Sequence, residues 1–535
     1  MAIAWTTWFS HAGQLGLVGP DEPRYVSIAR AMADTGDWVT PRLNGEPWFE
    51  KPVLYYWGAA AAFSLFGESE MAARLPSAVA MLVASAALVA LAMRAFGVST
   101  ALALAFLLPS MLATIAFARA ASTDMVFTAT LTLAFVAGAR VLDVLAASAS
   151  GLGGVGRGRE RLLWLAAFGA ALGLAVLAKG PAAVLLAGGS LVLCALLLGN
   201  WRWTLTFAHP VALAIFALVA LPWYVLCAIR NPDFVRVFIL EHNVQRFLTP
   251  VFAHEQPWWY FGAVLLAGLV PWTTLLVPAV RDAWRDVSRR TSPTAVLALC
   301  WAVVPFVFFS VSRSKLPGYI LPMFPPLALL MARSLAASLQ APGRGRALLA
   351  SSGGLLVVVA GLLAVGATLV VPVQLAPAIA ALGVTSTWPA AIGAAGIGIA
   401  LLALRGREWL ALGLTSTVMG ILVIGVNGRI VPALDPLLSA RATAVAASDA
   451  AAGGPIFEFG LERTMDFGLD YYLRRDLREW SPEAGEGVVV VRATTARTFA
   501  ASGYLVEVVK RISADAVITR VRRMNTVRLA PAPAD

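Results

Sequence analysis

Residues 19–57 hold Asp21, Glu22, Arg24, Glu46, Glu50 and Lys51 in a polar stretch beside long apolar runs, in a chain that is only 13% charged. Ionisable groups at the edge of a bilayer are costly and persist where something polar is handled. A carboxylate placed there can take a proton from an attacking hydroxyl or steady a developing positive charge. Guanidinium and ammonium groups grip phosphate and stabilise it as it leaves. A further carboxylate, Asp124, closes the turn Ala121-Ser122-Thr123-Asp124 between two apolar runs. Of the 41 basic residues only four are lysines, and three of these, Lys51, Lys179 and Lys315, stand at the ends of apolar runs. Each has a plainer reading: Asp21 could cap a helix, and a long lysine side chain could snorkel to the interface.

The elements that must position these residues are mostly membrane helices. Apolar residues make up 59% of the chain, mean hydropathy is +0.77, and the runs between residues 71 and 427 are each long enough to cross roughly 30 Å of hydrocarbon. The chain is therefore read as an all-α polytopic membrane protein with about 12–13 transmembrane helices, among them runs at 99–118, 181–198, 205–228 and 260–280. Residues 1–9 are too short to span, so a first helix is expected to be truncated or lost to a late start. The net charge of +11 does not point to nucleic acid, because the arginines cluster in alternate loops at 157–161, 202, 281–290, 344–346 and 405–407. By the positive-inside rule those loops are cytoplasmic. The polar stretch, Asp124, Lys179, the loop 230–259 and Lys315 then share the opposite, periplasmic face.

Within 19–57, Tyr25, Ile28, Ala29 and Met32 fall on one face of a helix over 22–35, which reads as amphipathic and lying on the membrane with Asp21 as its cap. A second helix over 52–66 carries Tyr55, Tyr56 and Trp57 as interfacial belt aromatics. The transmembrane unit is assigned to 1–427. Short β-like runs at 456–461, 487–492, 505–509 and 517–521, with 471–479 as a candidate helix, predict a small C-terminal α/β extracytoplasmic domain over 428–525. Residues 526–535 read as a disordered tail. Cys194, Cys227 and Cys300 read as buried small hydrophobes. In the loop 230–259, Glu241, His242, Arg246, His254 and Glu255 stand near each other, and Glu50 with His242 or His254 could hold a divalent metal, though no pair has the close helical spacing of a zinc motif.

Cations gathered at one membrane surface suit a phosphate, and at bilayer level that phosphate would be carried by a lipid. The segments GPDEPRYVSIARAM and GDWVTPRLNGEPWFEKPVLYYW resemble the first outer loop of the bacterial lipid A aminoarabinose transferases and their relatives in the protein O-mannosyltransferase clan, the C-type glycosyltransferases. The similarity continues in Ser122-Thr123-Asp124, in Ala178-Lys179-Gly180-Pro181, in Glu241-His242-Asn243-Val244-Gln245-Arg246-Phe247, and in the segment from Ser314 to Pro322.

This resemblance implies a C-type (GT-C) fold and an inverting glycosyltransferase. The enzyme would move an aminoarabinose- or hexose-like sugar from a polyprenyl phosphate donor to a lipid A-like or other cell-envelope acceptor, at the periplasmic side of the bacterial inner membrane. It implies Asp21 as the principal catalytic carboxylate and Asp124 as the second; Glu22, next to Asp21 in the chain, is a further catalytic candidate on local grounds. Arg24, Tyr25, Lys51, Lys179, Arg246 and Tyr319 would surround the carrier phosphate, joined by Lys315 from its place at the same face, and Glu50 and the Glu241–His242 pair would lie in the family's metal-proximal region. The family's full first span is nearly absent here, and the segment after Asn427, which carries no family motif, is expected to shape the acceptor site. A transporter or flippase for lipid-linked anionic glycans is the rival reading. It would call for an inverted repeat and for charges within spans rather than at one surface.

Overall fold

The computed structural model describes residues 2–149, 157–238, 241, 256–340, 343–369, 387–492, 495, 504–512 and 516–523. Among the described residues, nine helices are long and apolar enough to cross a membrane, or up to 11 when each of two bent pairs is taken as one span. The chain is a multi-pass helical membrane protein. Among the described residues, four of the expected runs take a different form. The run at 181–198 forms Ala182–Leu197, whose 16 residues make it a short helix. In the run at 205–228 the helix starts late, at Pro210, where His209 Nδ1 accepts the Val211 N–H at 3.2 Å. The run at 99–118 bends by 60° between Val98–Ser110 and Leu112–Ala118, just after Pro109, whose ring cannot continue the hydrogen-bond ladder. The run at 260–280 is not one span either. Tyr260–Gly268 and Thr273–Arg289 meet at 110°, and the second arm carries Asp282, Arg285 and Asp286.

The centre of the bundle is Thr123–Ala149, buried along most of its length, with Glu70–Phe96 and Arg157–Lys179 packed on it. Small residues allow close helix approach in membranes. A Cβ on Gly169 would collide with the Ala212 carbonyl of the Pro210–Arg230 helix.

At one end of the bundle, Asp21–Thr35 forms a helix that begins after Pro20 with no side-chain cap and stops at Gly36, whose φ of 71° is left-handed. Asp21 is therefore not the cap that its position suggests. Nor does this helix lie on the membrane by one face. Glu22, Arg24, Val26 and Ser27 are buried as well as Tyr25, Ile28, Ala29 and Met32, because the helix is enclosed between Leu54–Phe66 and Arg463–Leu473. Tyr55 and Tyr56 are likewise fully buried against Tyr25 rather than set in an interfacial belt.

The last membrane helix runs from Glu408 to Leu438, past the drop in hydropathy at 427. Beyond it, β3 (Ile456–Phe459), β4 (Gly487–Val491), β6 (Val517–Arg523) and β5 (Tyr504–Arg511) form a sheet in that order, with β3 parallel to β4 and the other pairs antiparallel. Arg441–Ala451 and Arg463–Leu473 are its helices. The helix expected at 471–479 sits earlier in the chain, ending at Arg474 with φ 54°. This unit is tied directly to the outer loop. Leu17 donates to the Tyr472 hydroxyl at 2.9 Å and Arg441 to the Gln14 carbonyl at 2.6 Å, while Gly16 donates at 2.7 Å to Asp435 at the end of the last membrane helix.

Asn44, at the turn between β1 (Arg42–Leu43) and β2 (Glu46–Pro47), donates to Asp470 at 2.9 Å and Asp476 at 2.6 Å. Burial, reinforced by Asp466 and Asp476, pushes the Asp470 carboxyl up to about 6. Burial and the charge of Asp466 push Glu458 up to about 8. An acid raised in the folded state binds protons that the unfolded chain has released, so stability falls as pH rises through that interval. The outer unit should therefore lose stability as pH rises from about 4 to about 8, and Asp470→Asn should flatten the part below about 6. Thermal unfolding followed across that range checks this.

Candidate functional site

The site at this end of the bundle is built around Arg24, which is only 4% exposed. The i, i+3 spacing sets it beside Asp21 on one helix face, and Nη2 pairs with Asp21 Oδ1 while Nη1 reaches Glu50 Oε2 at 2.8 Å. The guanidinium stands 5.5 Å from the ring centroids of Tyr25 and Phe467 and 5.6 Å from that of Trp48, a cation clamped by π faces. Lys51 Nζ is 3.5 Å from the other oxygen of Glu50. Within this buried network the Asp21 side chain remains 48% exposed, open to a reactant. Burial first, and then the charges of Asp21 and Glu50, hold the Tyr25 phenol well above its ordinary range. It therefore remains an O–H donor.

Glu22 plays a different part from the catalytic one expected of it. Oε2 accepts from Val18 N–H at 2.8 Å and Arg74 Nη2 at 2.7 Å, and Oε1 accepts from Ala121 N–H at 2.6 Å and Arg74 Nε at 3.2 Å. With both oxygens committed, Glu22 is a staple. It fixes the start of the Asp21 helix to the turn that carries Asp124.

Asp124 begins the central helix and pairs with Lys179, which ends the neighbouring one. The Lys179 ammonium lies 4.8 Å from the Tyr319 ring centroid and 5.5 Å from that of Phe127. Tyr319 sits on the 3-10 turn Pro317–Met323. Lys315, just before that turn, is only 8% exposed, and no carboxylate among the described residues pairs with it. Gly318 lets the turn pass close to the pair: a Cβ there would stand 2.6 Å from Asp124 Oδ2. Gly318→Ala should push Asp124 off Lys179 and lower activity at least about tenfold with little loss of folded protein, since small misplacements of reacting groups are costly. Turnover and unfolding temperature measured side by side check this.

His242 and Arg246, with His254 and Glu255, lie outside the described residues. Glu241 pairs with Arg236. Glu50 already faces a guanidinium and an ammonium, and among the described residues no cluster of three His, Cys, Asp or Glu side chains is formed.

Sequence reasoning missed Arg74, Trp48 and Phe467. Arg74 had a signal, a cation early in an apolar helix, which is costly unless paired. Phe467 had none, because it reaches the site from a distant helix of the outer unit.

An undecaprenyl phosphate-alpha-4-amino-4-deoxy-L-arabinose arabinosyl transferase from Photorhabdus laumondii is 31% identical over 412 residues, which cover 76% of this chain and 71% of that protein. The chain belongs to this family. A family member from Pseudomonas aeruginosa strain PAO1 is 38% identical over 323 residues, but those cover only 60% of this chain and 56% of the relative, so the match spans little more than half the relative's length. The family model for dolichyl-phosphate-mannose-protein mannosyltransferase matches residues 1–238, which include Asp21, Arg24, Asp124 and Lys179. The fold agrees with the crystal structure of ArnT from Cupriavidus metallidurans bound to undecaprenyl phosphate, at a TM-score of 0.80 over 97% of this chain and 96% of that one with 24% identity. The C-type glycosyltransferase fold that the outer-loop motifs imply for an aminoarabinose transferase is thus the one present.

Proposed function

We propose that this chain is an inverting glycosyltransferase that moves an aminoarabinose- or hexose-like sugar from a polyprenyl phosphate to a lipid A-like or other cell-envelope acceptor. The observation that carries the reading is a solvent-reachable carboxylate, Asp21, held by a buried cation network and stapled through Glu22 to the turn bearing the Asp124–Lys179 pair. The site lies at the end of the bundle opposite the arginine-rich loops, which favours the periplasmic side of the inner membrane.

In this reading an acceptor hydroxyl or phosphate oxygen approaches the anomeric carbon from the side opposite the carrier. Asp21 takes its proton or steadies the positive charge that develops on the sugar. As the new C–O bond forms, the bond to the carrier oxygen breaks and its electron pair leaves with the phosphate, which becomes a monoester. Lys51, Lys179 and Lys315 meet the added charge, with Tyr25 and Tyr319 beside them. Arg24 orients Asp21, and Asp124 orients Lys179.

The purified protein, incubated with a panel of polyprenyl phosphate sugars and membrane lipids, should shift the mass of one lipid by one sugar residue. Failure with every donor, together with movement of the lipid-linked sugar across vesicles, would replace the enzyme by a transporter.

A further inference from the structure

The opposite end of the bundle holds a groove that the transfer reaction does not use. It has a volume of about 520 Å³ and lies between Glu70–Phe96, Thr123–Ala149 and Arg157–Lys179, walled by Leu91, Leu133, Val136, Trp164, Leu174 and alanines. That volume falls within the roughly 300–1,000 Å³ of ordinary ligand pockets. All three helices are long and apolar enough to span, so the groove opens at bilayer depth. Water would lack the polar partners it needs against such walls, whereas a hydrocarbon chain fits them.

The groove is basic at one end only. Arg94 and Arg140 are its charged lining residues. Arg140 is 5% exposed, with Nη2 at 2.6 Å from Glu160, Nη1 at 3.4 Å from Asp143, its guanidinium 5.3 Å from the Trp164 ring centroid, and a buried Nε that has no partner. The Arg94 side chain is 64% exposed and, among the described residues, pairs with Glu160 alone, at 3.8 Å. Arg157, Arg159 and Arg161 occupy the first turns of the adjoining helix. Arg94 and Arg140 thus make this end of the groove basic, with Arg157, Arg159 and Arg161 on the helix turns that also carry Glu160. Basic pockets between membrane helices on the arginine-rich side select anionic headgroups. Arg94 lies 20 residues along one helix from Arg74 of the outer site, about 30 Å at 1.5 Å per residue. A carrier phosphate held near Asp21 therefore cannot be the anion at Arg94.

We infer that this groove binds an anionic phospholipid of the cytoplasmic leaflet, with its phosphate at Arg94 and an acyl chain between the three helices. Native mass spectrometry of the purified full chain, titrated in parallel with phosphatidylglycerol and phosphatidylethanolamine, tests this. Wild type should retain phosphatidylglycerol by roughly fivefold over phosphatidylethanolamine, about what one well-placed arginine contributes. Arg94→Ala, a change at an exposed side chain, should abolish that preference, and Ala90→Phe, which fills the groove from its exposed rim, should lose retention of both lipids. Unfolding temperatures near wild type show that the variants are folded, and Arg94→Ala decides alone if Ala90→Phe is not. Equal retention of the two lipids by wild type, or an undiminished preference in Arg94→Ala, overturns the inference. So does an Ala90→Phe variant that keeps phosphatidylglycerol but loses undecaprenyl phosphate, since the groove would then belong to the carrier's tail.

Discussion

Asp21→Asn is expected to lower sugar transfer by about 10²–10⁴-fold, the usual loss when a positioned proton acceptor is removed, with little change in unfolding temperature. The amide has the shape of the carboxylate and can still accept from Arg24, but it can neither take a proton nor carry a full negative charge. The helix does not depend on this side chain, which makes no cap bond. Arg24 also keeps Glu50 at 2.8 Å, so the buried cation is not orphaned. The measurement is the initial rate of glycolipid formation at saturating donor, with donor binding followed separately. Binding should persist while turnover falls, because the loss lies in the chemical step. Arg24→Lys is the companion variant: it preserves charge but not the fork that spans Asp21 and Glu50, so a fall in rate there reports orientation. Turnover of Asp21→Asn at the wild-type rate would remove Asp21 from the reaction.

How much of this was legible before the structure depends on the reach of each signal. The helices were readable because spanning a bilayer imposes length and apolarity on contiguous residues, and the four strands of the outer unit announced themselves by short Val-rich runs. Breaks within apolar runs were not, because hydropathy averages over Pro109 and the bend after Gly268. The Asp21 helix was placed to within a residue, yet its setting was misjudged. A helix face that looks polar from sequence can be buried when another unit supplies its partners, as Tyr471 does for Arg30 through its carbonyl at 2.8 Å and Phe467 does for Arg24 through its ring. Asp21, Arg24, Lys51, Asp124 and Lys179 could be singled out because charge is rare in such a chain. Their division into reacting and supporting groups could not, since that rests on who pairs with whom over separations such as Glu22 to Arg74.

That pair supports the second large effect. Glu22→Ala should destabilise the protein by about 3–5 kcal/mol, the cost of stripping one partner from a buried ion pair, and should abolish transfer. Arg74 is 4% exposed, and its remaining hydrogen-bond partners are the carbonyls of Ala12, Leu15 and Gly16 at 2.6–2.8 Å, which carry no full negative charge and leave Glu70 as the nearby carboxylate. Two effects are mixed in this variant, loss of charge balance and release of the Asp124 turn, and a double variant separates them. Glu22→Leu with Arg74→Met removes both charges, so stability should recover well beyond the sum of the single changes. Transfer should not recover, because the amides of Val18 and Ala121 still lack the carboxylate that ties them together. Unfolding temperature and transfer rate, measured on both single variants and the double, read the two effects independently. A double variant no more stable than Glu22→Ala would show that the pair's charges are not what holds this corner. A stable double variant that regained full transfer would show that the staple to Ala121 is not what places Asp124.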